Sequence, residues 1–143
     1  MSIEFNGLNE VLDKVEGVAD EAKMRKALLR ACLLVETTAR QNAQAFADTG
    51  ALAGSITSDV IEEQGDLLGI VFTPLEYAPY VEYGTGLFAE GGGGRKDVPW
   101  HYQDDKGEWH TTSGQHPQPF MRPALDVNRA KIIEILREGS SSD

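Results

Sequence analysis

The residues whose types and spacing could do chemistry fall into four groups. The first is Asp48-Thr49-Gly50-Ala51. This pattern suits acid proteolysis, in which two carboxylates, one from each of two copies, share a proton. That chemistry needs an apolar strand ahead of the motif. Here Gln41 to Ala47 closes an Ala-rich helical pattern, so the group reads as a helix-ending turn. The second group is His101, His110 and His116, which would meet on zinc if the chain between them folded back. The lone Cys32 is remote and no regular ligand spacing is present, so they read as exposed or interface histidines. The third is Gly91-Gly92-Gly93-Gly94 followed by Arg95-Lys96. It lacks the Gly-Lys-Ser/Thr ending and the leading strand of a phosphate loop, and reads as a mobile loop. The fourth is Tyr77-Ala78-Pro79-Tyr80-Val81-Glu82-Tyr83-Gly84-Thr85-Gly86, answered by Pro117-Gln118-Pro119-Phe120-Met121-Arg122-Pro123-Ala124. These two stretches are expected to form one packed junction. Tyr77, Tyr80 and Tyr83 read first as packing residues and second as a recognition cluster. Glu82, among aromatics, needs a partner, because an unpaired buried charge is costly. Arg122 is the first candidate and Arg95 the second. No Ser-His-Asp grouping or nucleotide fingerprint stands out, and no catalytic, cofactor or metal residue is assigned.

The elements that must position these residues are read from periodicity. Ile3-Glu4-Phe5 alternates like a short strand, and Leu8, Val11, Leu12 and Val15 suit a short amphipathic helix. From Val18 to Ala47, Met24, Leu28, Ala31, Val35, Thr38 or Ala39, and Asn42 recur at helical steps. Such a helix is roughly 40 Å long at 1.5 Å per residue. It must span its domain or have one face covered by another subunit. Cys32 falls in this pattern as a small buried residue. Ser55–Glu62 and Leu67–Thr73 read as an antiparallel hairpin about Glu63-Gln64-Gly65-Asp66. Tyr77–Tyr83 reads as one or two helical turns, left through Gly84 and Gly86. Val98–Gln103 and Glu108–Thr112 flank Asp104-Asp105-Lys106-Gly107 as a second hairpin, with Trp100 and Trp109 expected close across it. Pro123 is placed at the first position of a last helix, with Leu125, Ile132, Ile133 and Leu136 as its stripe and Gly139 as its end. The expected fold is therefore α+β. A long N-terminal helix and a C-terminal helix pack on a small antiparallel sheet, with a protruding Gly/Trp-rich hairpin loop. Residues 1–139 are taken as one domain, with 87–115 its assembly loop and 140–143 a disordered tail.

The chain has 143 residues, 41% of them apolar, and a formal net charge of −10. That length suits one core. No run is apolar enough for a membrane span, and the N-terminal stretch is not a signal peptide. The negative charge repels phosphates and argues against sequence-reading DNA binding. It suits a surface that DNA passes without sticking, and equally simple solubility.

Asp48-Thr49-Gly50, Leu52 and Ser55-Ile56, then the Tyr77–Gly86 stretch, then Trp100, Trp109, Thr112 and Gly114, and last the Pro117–Ala124 stretch run in a distinctive order. In order and spacing they resemble the neck or head–tail joining (tail-completion) proteins of tailed bacteriophages, the family typified by gene product ten of phage Hong Kong 97. The resemblance implies a non-enzymatic virion protein of a phage or prophage, made in the host bacterial cytoplasm. It implies copies of itself in a ring at the head–tail junction. The implied partners are connector or head-closure proteins and tail-terminator or tail-tube proteins, with DNA passing through. The expected assembly residues are Tyr80, Glu82, Tyr83, Arg95, Trp100, Trp109, Phe120 and Arg122. The expected structural turns are Asp48, Gly50, Gly84, Gly86 and Pro123. The alternatives are a retroviral-type homodimeric aspartic protease acting through Asp48, and a bacterial protein-interaction module.

Overall fold

The computed structural model describes residues 1–5, 21–45, 50–92, 94, 96–104 and 106–139. The helix expected over Leu8–Val15, the residues Asp48, Thr49 and Arg95, and the 140–143 tail lie outside the described residues. The chain divides into two compact units, Met1–Leu75 with Phe120–Asp143, and Glu76–Pro119.

The first unit is built on α1, Glu21–Gln44. Its 24 residues make a rod about 36 Å long. Met24, Leu28, Ala31, Val35 and Ala39 are buried, as their spacing requires, together with Ala27, Cys32 and Ala43. Burial pushes the Cys32 thiol up to about 12, which makes it an uncharged packing group at neutral pH. Leu29 and Leu33, one turn apart on another face, stay 41% and 45% exposed.

Three strands belong with α1: β1 (Ser2–Phe5), β2 (Thr57–Glu63) and β3 (Asp66–Phe72), of which β2 and β3 pack against it. They pair antiparallel in the order β1-β3-β2. The central place of β3 explains why it is the more apolar strand of its hairpin. Val60, Leu67 and Val71 are buried, while Ile61 lies on the other face. The Glu63–Asp66 pair leaves Gln64-Gly65 as a two-residue loop, with φ of 53° and 86°. That is the left-handed geometry of a tight hairpin turn whose twist matches the strands.

One element was not expected from periodicity. A short helix, α2 (Ala51–Ser55), follows Gly50, whose φ is 72°. Gly50 does adopt the positive φ read for it, but it begins this helix. Leu52 and Ala53 are buried there. The Arg40 guanidinium donates twice to the Ile56 carbonyl, at 3.0 and 2.7 Å, and so ties the exit of α2 back to α1.

Helix α3 (Ala78–Tyr83) belongs to the second unit. The last helix, α4, spans Met121–Gly139 and packs along α1. It starts two residues before Pro123, which corrects the expected first position. Pro123 still falls in the opening turn, where a missing N–H leaves no intrahelical bond unmade. The buried stripe is Met121, Ala124, Ile132, Ile135 and Leu136, with Leu125 and Ile133 half-buried at its flank. Asn128 Nδ2 donates to Thr38 Oγ1 at 2.9 Å, and Asn42 Nδ2 to the Phe120 carbonyl at 3.1 Å, joining the two helices. Gly139 ends the helix as expected and also allows its approach to α1, since a Cβ there would collide with the Cβ of Ala27. Among the described residues, no helix is long and apolar enough to cross a membrane.

Candidate assembly surface

The second unit opens with α3, which carries Pro79 in its first turn. Its buried residues are Ala78 and Glu82, four apart and so on one face. Tyr77, Tyr80 and Tyr83 are 44%, 59% and 41% exposed, which corrects the packing role read for them first. The inversion has a simple cause: a six-residue helix has room for one inward stripe, and the small Ala78 fits it. Glu82 does not go without a partner.

Two glycines shape the chain beyond α3. The helix ends at Gly84 (φ 83°), whose N–H donates to the Tyr80 carbonyl at 2.9 Å. A Cβ at Gly84 would stand 2.8 Å from the Phe88 carbonyl oxygen and 2.9 Å from Pro117 Cδ. Gly86 (φ 60°) begins a 3₁₀ turn, Gly86–Phe88, and a second turn spans Glu90–Gly92. Thr85 exchanges backbone hydrogen bonds with Gln115, at 2.9 and 3.3 Å, and Leu87 N–H donates to the Ser113 carbonyl at 3.0 Å. Gln118 N–H donates to the Val81 carbonyl at 2.7 Å. The Tyr77–Gly86 stretch and the first part of the Pro117–Ala124 stretch therefore meet, as read from the sequence. The 87–97 stretch, read as mobile, has folded turns among its described residues and is anchored at Leu87.

A ribbon closes the unit: β4 (Trp100–Gln103) pairs with β5 (Trp109–Thr112). Its register sets Trp100 opposite Thr112 and Gln103 opposite Trp109. The two tryptophans thus stand at opposite ends and, by alternation, on opposite faces. The expected close Trp100–Trp109 contact is absent because partner positions differ in parity. Tyr102 and His110 make the cross-strand ring pair instead, with centroids 5.2 Å apart. The same parity puts His101 and His110 on opposite faces. His101 Nδ1 bonds Thr111 Oγ1 at 2.8 Å, His110 Nε2 bonds Asp104 Oδ2 at 2.7 Å, and His116 packs on Phe88 at 3.9 Å. The three histidines do not converge.

Asp104 organises the ribbon's tip. Its Oδ1 accepts from the backbone N–H groups of Lys106 and Glu108, at 2.9 Å each, while Gly107 turns the chain at φ 81°. The bond from His110, then those from the Glu108 and Lys106 N–H groups, hold the Asp104 carboxyl below its ordinary value of 3.8. Sequence reading placed the turn but missed this lock. Its signal was present: an Asp opening a turn that closes on Lys-Gly favours a side-chain bond two residues on. Asp104, Glu108 and His110 also bring one potential ligand atom each within 4.8 Å of one another, on the exposed tip.

Beside α3 lies an open groove of about 630 Å³ whose walls include Tyr80, Tyr83, Trp100 and the backbone of Gly84 and Gly86. Trp100 is half-buried in this setting, whereas Trp109 at the tip is 70% exposed. Of the residues read as assembly anchors, the structure brings Tyr80, Tyr83 and Trp100 together and holds Trp109 apart. Phe120 is fully buried, so it has no surface to offer another chain, which corrects its reading as an anchor. Its backbone instead receives Asn42. Arg122 sits half-buried in the first turn of α4.

Fold and groove together define a small α+β protein whose second unit displays aromatic side chains. The HK97-gp10-like family, described as bacteriophage HK97 gp10 and a proposed tail component, matches residues 6–84. That is more than half of the chain, and the chain belongs to this family. The match runs from the N-terminal region through α3 and stops at Gly84, before Gly86, Trp100 and the ribbon. No curated protein and no solved structure matched the chain.

Proposed function

We propose that this protein is a structural, non-enzymatic subunit of a tailed phage or prophage virion, forming a ring at the head–tail junction. It joins the capsid connector to the tail and lets DNA pass. The observation that carries this reading is membership of a phage tail-component family. The exposed aromatics of the second unit add to it, since exposed Tyr and Trp are the side chains that anchor protein interfaces. Residues 1–139 act as one joining domain, with 87–115 as its assembly loop. Tyr80, Glu82, Tyr83, Arg95, Trp100, Trp109 and Arg122 are its assembly residues. Its partners are other copies, a connector or head-closure protein and a tail-terminator or tail-tube protein. Its place is the virion, after assembly in the host cytoplasm. The net charge of −10 leaves passing DNA without a general electrostatic foothold.

The test is genetic and microscopic. A phage or induced prophage deleted for this chain is expected to yield filled heads and separate tails, and the chain supplied in trans is expected to restore joined particles. Normal virions from the deletion would overturn the role. The aspartic-protease alternative has a distinct outcome: Asp48→Asn would block a processing step while purified chain still assembled.

A further inference from the structure

We propose that Asp104, Glu108 and His110, at the turn of the β4–β5 ribbon, bind a divalent transition ion of the zinc class. This goes beyond the virion reading and does not depend on it. The ribbon's register builds the cluster. Tyr102 stands opposite His110 and Gln103 opposite Trp109, so one further step sets Asp104 opposite Glu108. The Asp104 N–H makes that step, donating to the Glu108 carbonyl at 2.9 Å. Directly opposed residues share a face, and so do residues two apart on a strand. Asp104, Glu108 and His110 therefore share one face of the ribbon, with Tyr102 beside them. One ligand atom from each lies within 4.8 Å of the others. His101 has the opposite parity and His116 follows the end of β5, so neither joins the group.

The donor set and its support select the ion. Asp104 commits Oδ1 to the Lys106 and Glu108 N–H groups, which leaves Oδ2 as the ligand, 2.7 Å from His110 Nε2. The Tyr102 ring stacks on the His110 ring, centroids 5.2 Å apart, and limits its rotation. Two ligands about 2.1 Å from one ion stand roughly 3.0–3.4 Å from each other. The Asp104–His110 pair reaches that spacing by opening about 0.5 Å, and the exposed Glu108 side chain has room to complete the set. The ion replaces the proton between Asp104 Oδ2 and His110 Nε2, and the bound imidazole carries its proton on Nδ1. One imidazole nitrogen with two carboxylate oxygens suits zinc and its neighbours, whereas calcium and magnesium take oxygen ligands. Lys106, the base in this turn, is exposed, and its bond to Asp104 comes from the backbone N–H. Asp105 lies outside the described residues and has no part in the site. Exposed acids often group without a metal. The nitrogen donor, and a carboxylate already pinned by two N–H groups, set this group apart from those.

The test is isothermal titration calorimetry of the full-length chain with zinc chloride in a non-chelating buffer. One-to-one uptake is expected. Glu108→Gln and His110→Ala are each expected to weaken it at least about 10-fold, since losing even a residue behind a ligand costs about 10–100-fold. Glu108→Gln is the sharper variant. Glu108 serves the turn through its backbone N–H and carbonyl, which glutamine keeps, so the fold stays while the ligand charge goes. A His101→Ala/His116→Ala double variant is expected to take up zinc as the unmodified chain does. In proton NMR, zinc is expected to shift the His110 ring signals and leave those of His101 and His116 in place. Uptake unchanged in Glu108→Gln overturns the site, because a lone surface histidine would give that result. An unmodified chain that shows no saturable zinc uptake overturns it too. Displacement of zinc by an equal concentration of calcium rejects the assignment to a transition ion.

Discussion

At the scale of single residues, the second unit depends on places where a side chain would be one atom too many. Gly86 combines a positive φ of 60° with close neighbours: an added Cβ would collide with the Ser113 carbonyl and stand 2.9 Å from Trp100 Cζ3. Gly91 has a φ of 79° but open space around it. Gly86→Ala is therefore expected to cost about 2–4 kcal/mol, from crowding added to backbone strain. Gly91→Ala is expected to cost only the strain, about 1 kcal/mol. Urea unfolding of the two variants checks the difference. Asp104 offers a second test. Its folded carboxyl is held low, so the ionised form is the one that folding favours. Its contribution is fully present above the ordinary value of 3.8 and is lost as pH falls through the lowered one. Tryptophan emission from the ribbon is expected to change over that acid range, and Asp104→Asn to remove the step.

At the scale of elements, the hairpin turn at Gln64-Gly65 places a non-glycine residue at φ 53°. Gln64→Asn, a residue that tolerates this region, is expected to raise stability by about 0.5–1 kcal/mol, read from thermal melts. How legible each element was depended on length. The repeat of Met24, Leu28, Ala31 and Val35 announced α1 because many residues sampled one face. The strands of the first hairpin were legible from their bounding turns. Short elements gave little to average. In α3, three tyrosines outvoted Ala78 and Glu82 on any apolar count, yet the latter two turned inward. In the ribbon, one residue of register decides which face a tryptophan takes, and the pattern around Trp100 and Trp109 did not specify it. The groove was only partly legible. Tyr80, Tyr83 and Trp100 were singled out, but Thr85, which lines the groove and exchanges backbone bonds with Gln115, carries no sequence mark of that pairing.

At the scale of the molecule, charge sets the expectation. With a net charge of −10, the chain is expected to leave duplex DNA unshifted in a low-salt gel. Non-specific DNA binders under physiological salt show Kd of about 10⁻⁴–10⁻⁶ M. Retardation in that range would reject free passage of DNA past the chain. The division of labour between units is also testable. The first unit holds the long helices, the three-stranded sheet and most of the fully buried large side chains. The second holds the groove and the ribbon. Trp109→Ala is accordingly expected to shift the melting temperature negligibly, by calorimetry, because an exposed side chain contributes little to folding.

The chain has two tryptophans, one half-buried at the base of the ribbon and one in water at its tip. Nature has thereby fitted the protein with two lamps that see different surroundings. Trp100→Phe leaves a single emitter whose colour reports the wetness of the tip, with no dye attached. Any partner that covers that tip, whether kin or stranger, announces itself as a blue shift.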